Sequence, residues 1–180
     1  MELTVINTEM LRETRRAWLA SASHSTHEAF LAEYEQLFDV IEEGESIGPL
    51  NGRLNAPIYY GVLDNGVLKA LVQMVQSQRG RDIWIKMTDL YMCPEIELEV
   101  DTEASTADRL NVFTTALLGV FGLTKQVDRA DTIKVYGRTE ALVTFLRGMH
   151  DALAVFSSLG NMPGITVSIE GRWLVFRTGK

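Results

Sequence analysis

With 180 residues and 46% hydrophobic content, the chain has enough apolar material for one sizeable core, and residues 1–180 read as a single domain. Seventeen Lys and Arg stand against 24 Asp and Glu, for a formal charge of -7, and no run of basic residues breaks the excess, which argues against nucleic acid as a partner. The lone cysteine, Cys93, rules out an internal disulfide or a Cys-based zinc site, and no apolar run approaches the roughly 18 residues of a membrane span. An acidic start leading straight into Leu3-Thr4-Val5-Ile6 is not a signal peptide, so the expected location is cytoplasmic.

Glu2 to Ile6 favours a strand. Asn7-Thr8-Glu9 then supplies capping residues for a helix with Leu11, Thr14 and Trp18 at helical spacing. After a polar break at Ser21 to Thr26, Phe30, Tyr34, Leu37 and Ile41 make the stripe of a second helix, which Gly44 ends. His24 and His27 are three apart, as two ligands on one helical turn would be. No third His or Cys lies near them, so no metal site is assigned.

Glu43 to Pro57 is a long loop rich in Gly, Asn and Pro, of a composition that suits movement. Two strands follow, Ile58 to Leu63 and Val67 to Gln76, joined by Asp64-Asn65-Gly66, a strong hairpin signal. Arg79 to Asp82 turns the chain into a third strand, Ile83 to Cys93, mixed on both faces as a central strand would be.

Next comes an acidic stretch, Glu95 to Glu103, in which carboxylates alternate with mostly apolar residues. Period-two alternation predicts an extended arm with Glu95, Glu97, Glu99, Asp101 and Glu103 on one face and Ile96, Leu98 and Val100 on the other. Such a row suits a basic protein partner, with Glu97, Glu99 and Asp101 as its contact residues. Ser105 with Asp108 three residues on has the capping-box pattern, and Leu110, Phe113, Leu117, Val120 and Phe121 form the stripe of the helix it opens.

Thr132 to Tyr136 is a strand reached by a crossover from Cys93, long enough to make the two strands parallel. A helix from Glu140 to Ser157 presents Leu142, Phe145, Leu146, Met149, Leu153 and Phe156, and Gly160, Pro163 and Gly164 close it. The chain ends in a hairpin: Ile165 to Glu170, a turn at Gly171, and Trp173 to Phe176.

The order β-α-α-β-β-β-α-β-α-β-β, an α/β mixed central sheet flanked by helices, resembles the GCN5-related N-acetyltransferase superfamily, the GNAT fold. The resemblance covers nearly all 180 residues and lies in element order and hairpin placement. It implies that the strand ending at Cys93 splays from the one at Thr132 and that acetyl-CoA lies in the opening. Tyr91, Met92 and Cys93 would then face the thioester, with Ser105 and Thr106 at the next helix start as further cofactor-binding residues. Two residues are candidates for catalysis by position: Asp89 as base for an amine and Tyr136 as proton donor to a leaving thiolate. Cys93 lacks a nearby His to activate it as a nucleophile.

The family's Arg/Gln-x-x-Gly-x-Gly/Ala motif cradles the pyrophosphate with glycine amides. Here no glycine lies between Cys93 and Leu110, and the only basic residue there is Arg109. A phosphate beside a carboxylate costs about 1 kcal/mol per pair at ~4 Å in water-like dielectric. That offsets the ~0.3–1 kcal/mol that a bare helix N-terminus offers an anion. The tyrosine that the family often keeps in its last long helix is also missing from Thr144-Phe145-Leu146-Arg147-Gly148.

These residues lead to a non-catalytic binding or assembly protein with an eroded acyl-CoA site and no cofactor. Its eroded loops resemble those of small accessory proteins of tailed phages, which would place it in a virion. The alternative is an acetyl-CoA-dependent N-acyltransferase acting on an amine. Homo-oligomerisation stays open on either reading.

Overall fold

The structure is a computed structural model that describes residues 1–23, 28–50, 52–97, 103–127, 129–158 and 164–178. His24 and His27 fall outside the described residues, as do Glu99, Asp101, Gly160 and Pro163. Among the described residues no helix is long and apolar enough to cross a membrane, and no group of three His, Cys, Asp or Glu could hold a metal ion. The chain divides into two compact units, and two long strands contribute to both.

The first unit comprises Met1–Pro49, Pro57–Gln73 and Leu90–Gly119. Strand β1 (Glu2–Val5) pairs antiparallel with β2 (Pro57–Asp64), setting Leu3 opposite Val62. Helix α1 (Thr8–Ser23) starts where the sequence predicts, with Asn7 Oδ1 accepting the Met10 amide at 2.9 Å. Helix α2 (Glu28–Glu43) ends at Gly44. The two helices bury Leu11 and Trp18 with Tyr34, Leu37, Phe38 and Ile41. Trp18 meets Tyr34 and Phe38 edge-on, at centroid distances of 5.4 and 5.8 Å. Asn65 and Gly66, with φ of 50° and 82°, form the tight turn from β2 into β3 (Val67–Arg79), since a two-residue turn matching strand twist needs both in the left-handed region.

The second unit comprises Leu50–Ala56, Met74–Asp89 and Val120–Lys180. Strand β4 (Asp82–Met92) pairs parallel with β5 (Ala130–Tyr136) from Ile83 to Met87, as the long crossover requires. The register slips between Ile83 and Trp84, leaving Asp131 as the extra residue. Thr139 Oγ1 caps helix α5 (Glu140–Ser158) by accepting the Leu142 amide at 3.1 Å. Strands β6 (Ile165–Glu170) and β7 (Trp173–Thr178) form the last hairpin around Gly171, and β7 pairs antiparallel with β5. Ile85, Met87, Ile133, Val135, Leu174 and Phe176 are among the unit's buried strand residues, with Phe121 edge-on to Phe176 at 4.9 Å. Hydrogen-bonded strands follow the order β1-β2-β3-β4-β5-β7-β6, a seven-stranded mixed sheet.

Four details depart from the sequence reading. The described ends of the acidic arm are not extended: Pro94–Glu97 is a short helix, α3, and helix α4 already begins at Glu103 and runs to Leu123. Proline at the first helical position lacks only an amide that would be unpaired there, and the Cys93 carbonyl accepts the amides of both Ile96 and Glu97 at 3.0 Å. Local helix closure with Ile96 buried thus overrides the alternating pattern, and Glu97 sits on a helix rather than in a strand row. Ser105 is consequently not a cap but the third residue of α4, fully buried.

The apolar stripes also shift. Leu110 is 47% exposed, whereas Val112, Phe113, Ala116 and Leu117 are buried, because α4 is apolar on more than one side and packing selects the face. In α5, Phe145 is 39% exposed while Val143 and Leu146 are buried; Val143 packs on Gly137, where a Cβ would come within 2.6 Å of its Cγ2. Finally, the Glu43 to Pro57 loop is tied down in each unit. Ile47 bridges Tyr59, whose amide donates to Ser46 O at 2.8 Å; Leu54 bridges Gln76, whose carbonyl accepts the Asn55 amide at 2.7 Å. Glycine and asparagine there serve left-handed positions, Gly48, Gly52 and Asn55, rather than looseness.

Candidate functional site

The end of β4, helix α3 and the start of α4 form the candidate site, built within the first unit from Tyr91, Met92, Cys93, α3 and the first turns of α4. The Tyr34 hydroxyl donates to the Met92 carbonyl at 2.5 Å, and the Cys93 amide donates to Lys69 O at 2.8 Å. The backbone at the end of β4 is therefore held from α2 and from β3. Tyr34 was legible only as a member of an apolar stripe; its hydroxyl's target depends on tertiary packing.

Burial pushes the Tyr34 hydroxyl far above its usual range, and the charges of Glu97, Cys93, Glu33 and Glu95 push it further. It stays a protonated donor. Burial also pushes the Cys93 thiol up to about 11; a backbone hydrogen bond from Ile96 lowers it, and Glu95 raises it again. A thiol raised by burial carries little thiolate near neutrality, which disfavours Cys93 as a nucleophile.

The carboxylates split. Partial desolvation raises the Glu95 carboxyl, but hydrogen bonds from Ser21, its own amide and Cys93, with the charge of Lys69, outweigh this and leave it below its usual value. Glu97 is exposed overall, yet protein crowding its carboxyl desolvates it and holds it above its usual value; Arg109 pulls it down and Glu33 pushes it up.

Arg109 is the residue whose role the sequence could not show. From α4, its Nε donates to Ile96 O at 3.2 Å and its Nη2 to Glu97 O at 3.3 Å. A helix end leaves its last carbonyls without intrahelical partners, and Arg109 supplies donors to two of them. Ser105, being buried, presents no hydroxyl at the surface, whereas Thr106 beside it is exposed.

The two catalytic candidates belong to the second unit. Asp89, on β4, accepts from Arg138 Nη1 at 2.8 Å, and its side chain is only 16% exposed. Tyr136, at the end of β5, is half-buried against Trp173 with ring centroids 4.7 Å apart, and the Arg172 guanidinium lies 6.0 Å over its ring. The register pairs Met87 with Val135. Asp89 therefore shares the face of Met87, while Tyr136, one residue past Val135, takes the other. The structure does not bring this acid and base onto one face of the sheet.

The fold is GNAT-like. Among the described residues β4 pairs parallel with β5 through a helical crossover, and β5 pairs antiparallel with β7, as the resemblance implies. Among solved structures, the chain is similar to the PaiA N-acetyltransferase from Thermoplasma acidophilum in complex with coenzyme A: 14% identity, TM-score 0.41, over 99% of this chain and 98% of that one. It is also similar to a GNAT family acetyltransferase from Brucella melitensis in complex with acetyl-CoA: 10% identity, TM-score 0.45, over 99% of this chain and 88% of that one. Likeness at that level says nothing of activity. No protein-family model and no curated protein matches the chain.

Proposed function

We propose that this chain is a non-catalytic binding or assembly protein on a GNAT-like scaffold, acting in the cytoplasm or as a component of a particle, with its acyl-CoA site eroded. The observation that supports this most is the engagement of Arg109 with the carbonyls of Ile96 and Glu97. It is the one cation between Cys93 and Leu110, and its bonds brace a turn. The turn's own amides at Ile96 and Glu97 are likewise directed at Cys93 O, where a glycine loop would leave them for phosphate. Carboxylates at Glu95 and Glu97 add repulsion for a pyrophosphate. Glu97 remains a candidate contact for a basic partner, on a helical turn instead of a strand.

Isothermal calorimetry and thermal shift with acetyl-CoA test the reading. A ligand at a hundredfold its dissociation constant adds about 2.7 kcal/mol, which a melting curve resolves. The expected result is no heat and no shift at millimolar acetyl-CoA. A micromolar dissociation constant would overturn the proposal in favour of an acetyl-CoA-dependent N-acyltransferase.

A further inference from the structure

The charge of the chain is divided unevenly. The first unit has 5 Lys and Arg against 17 Asp and Glu, a net -12, and the second has 12 against 7, a net +5. Within the second unit, cations distant in sequence gather around one indole. Lys134 Nζ lies 4.2 Å from the Trp84 ring centroid, the Arg79 guanidinium 5.6 Å and Lys86 Nζ 5.8 Å. Pairing explains it: Trp84 and Lys86 stand opposite Thr132 and Lys134, so all four project from one face, and Thr132 stands opposite Arg177 on β7. Glu170 is ion-paired with both Lys134 and Arg177, so one carboxylate is shared by two of these four cations. Lys134 is buried, Trp84 and Lys86 are half-buried and Arg79 and Arg177 exposed, which leaves Arg79, Lys86 and the indole edge open to a partner.

We propose that the Trp84 face docks the acidic unit of a second copy of this chain. Charge complementarity commits the choice: a face of the unit of net +5 meets the unit of net -12 that every copy carries. The densest acidic stretch among the described residues of the first unit is α2 and its following turn, with Glu33, Glu35, Glu42, Glu43 and Glu45 all exposed. A nucleic acid fits less well. The indole already has cations over it where a base would stack, and the acidic unit repels a long polyanion. The contact joins two different surfaces, so copies associate either as a reciprocal pair or as rings or chains. This inference is independent of whether acyl-CoA binds.

Sedimentation velocity across a concentration series, at about 0.02 M and about 0.5 M salt, reads the association directly, since screening shortens from tens of ångströms to a few over that range. The wild-type chain is expected to associate at low salt and to become monomeric at high salt. The double variant Arg79→Glu, Lys86→Glu is expected to weaken association at least about tenfold, as is Glu35→Lys, Glu43→Lys, while a mixture of the two variants forms a one-to-one pair, because each still carries one intact surface. Should the reversed charges disturb folding, Arg79→Gln, Lys86→Gln replaces the first variant, with circular dichroism as the check. A monomer at low salt, association indifferent to salt, or variants that associate like wild type would overturn the proposal. So would tight binding of an oligodeoxythymidylate to a chain that does not self-associate.

Discussion

Replacing Arg109 with Met separates a brace from a ligand-binding cation. Methionine retains an apolar stem of similar reach and removes the guanidinium, so packing along α4 changes little. What is lost includes a pair of hydrogen bonds, Nε to Ile96 O at 3.2 Å and Nη2 to Glu97 O at 3.3 Å, along with the guanidinium's attraction for the Glu97 carboxylate. Both are long and the residue is half-exposed, so each is placed near the low end of the ordinary net range of about 0.5–1.5 kcal/mol rather than at the value for a short charged bond. Together they give a loss of about 1–2 kcal/mol. For a chain of this size that lowers the melting temperature by about 2–8 °C. Urea denaturation should show the same loss as a lower midpoint with an unchanged slope, because the exposed area on unfolding is the same. A change below about 0.3 kcal/mol, together with loss of a wild-type response to acetyl-CoA, would refute the bracing role and make Arg109 a phosphate ligand.

Three further outcomes are expected. Tyr34→Phe keeps the edge-on contact with Trp18 but leaves the Met92 carbonyl without the hydroxyl, and equilibrium denaturation should register a loss of about 1–2 kcal/mol; an unchanged stability would show that the bond at 2.5 Å contributes nothing. Cys93, with its thiol pushed up to about 11, should react with iodoacetamide at pH 7.5 far more slowly than free cysteine and speed up on unfolding in urea; modification at the free-thiol rate would contradict its burial. Glu97 has a folded-state value above its unfolded one, so the folded protein binds more protons and stability falls as pH rises from the ordinary carboxyl value of about 4.3 through the raised one. Glu97→Gln should therefore melt higher than wild type at pH 7 and equal to it near pH 3; a gap that persists or reverses at low pH would show that the carboxylate is not what costs stability.

Local signals in the sequence specified most elements. Asn7 before α1 acts through its own side chain and Asn65-Gly66 between β2 and β3 through their backbone freedom, neither needing a distant partner, and Gly44 follows the end of α2, with Glu45 as the left-handed residue. The parallel pairing of β4 with β5 was equally legible, because a crossover of that length permits it and a tight turn does not. Tertiary structure decided the rest. The alternating acids read as a strand, but Pro94, the Cys93 carbonyl and the burial of Ile96 close a helical turn instead, and periodicity cannot weigh a hydrogen bond against a pattern. The roles of Tyr34 and Arg109 depend on carbonyls 58 and 12–13 residues away, to which composition gives no pointer. No basic run is visible in the chain because Arg79, Lys86 and Lys134 are scattered along it. Strand pairing, which ignores separation in sequence, gathers them around Trp84 and gives an acidic chain a cationic face.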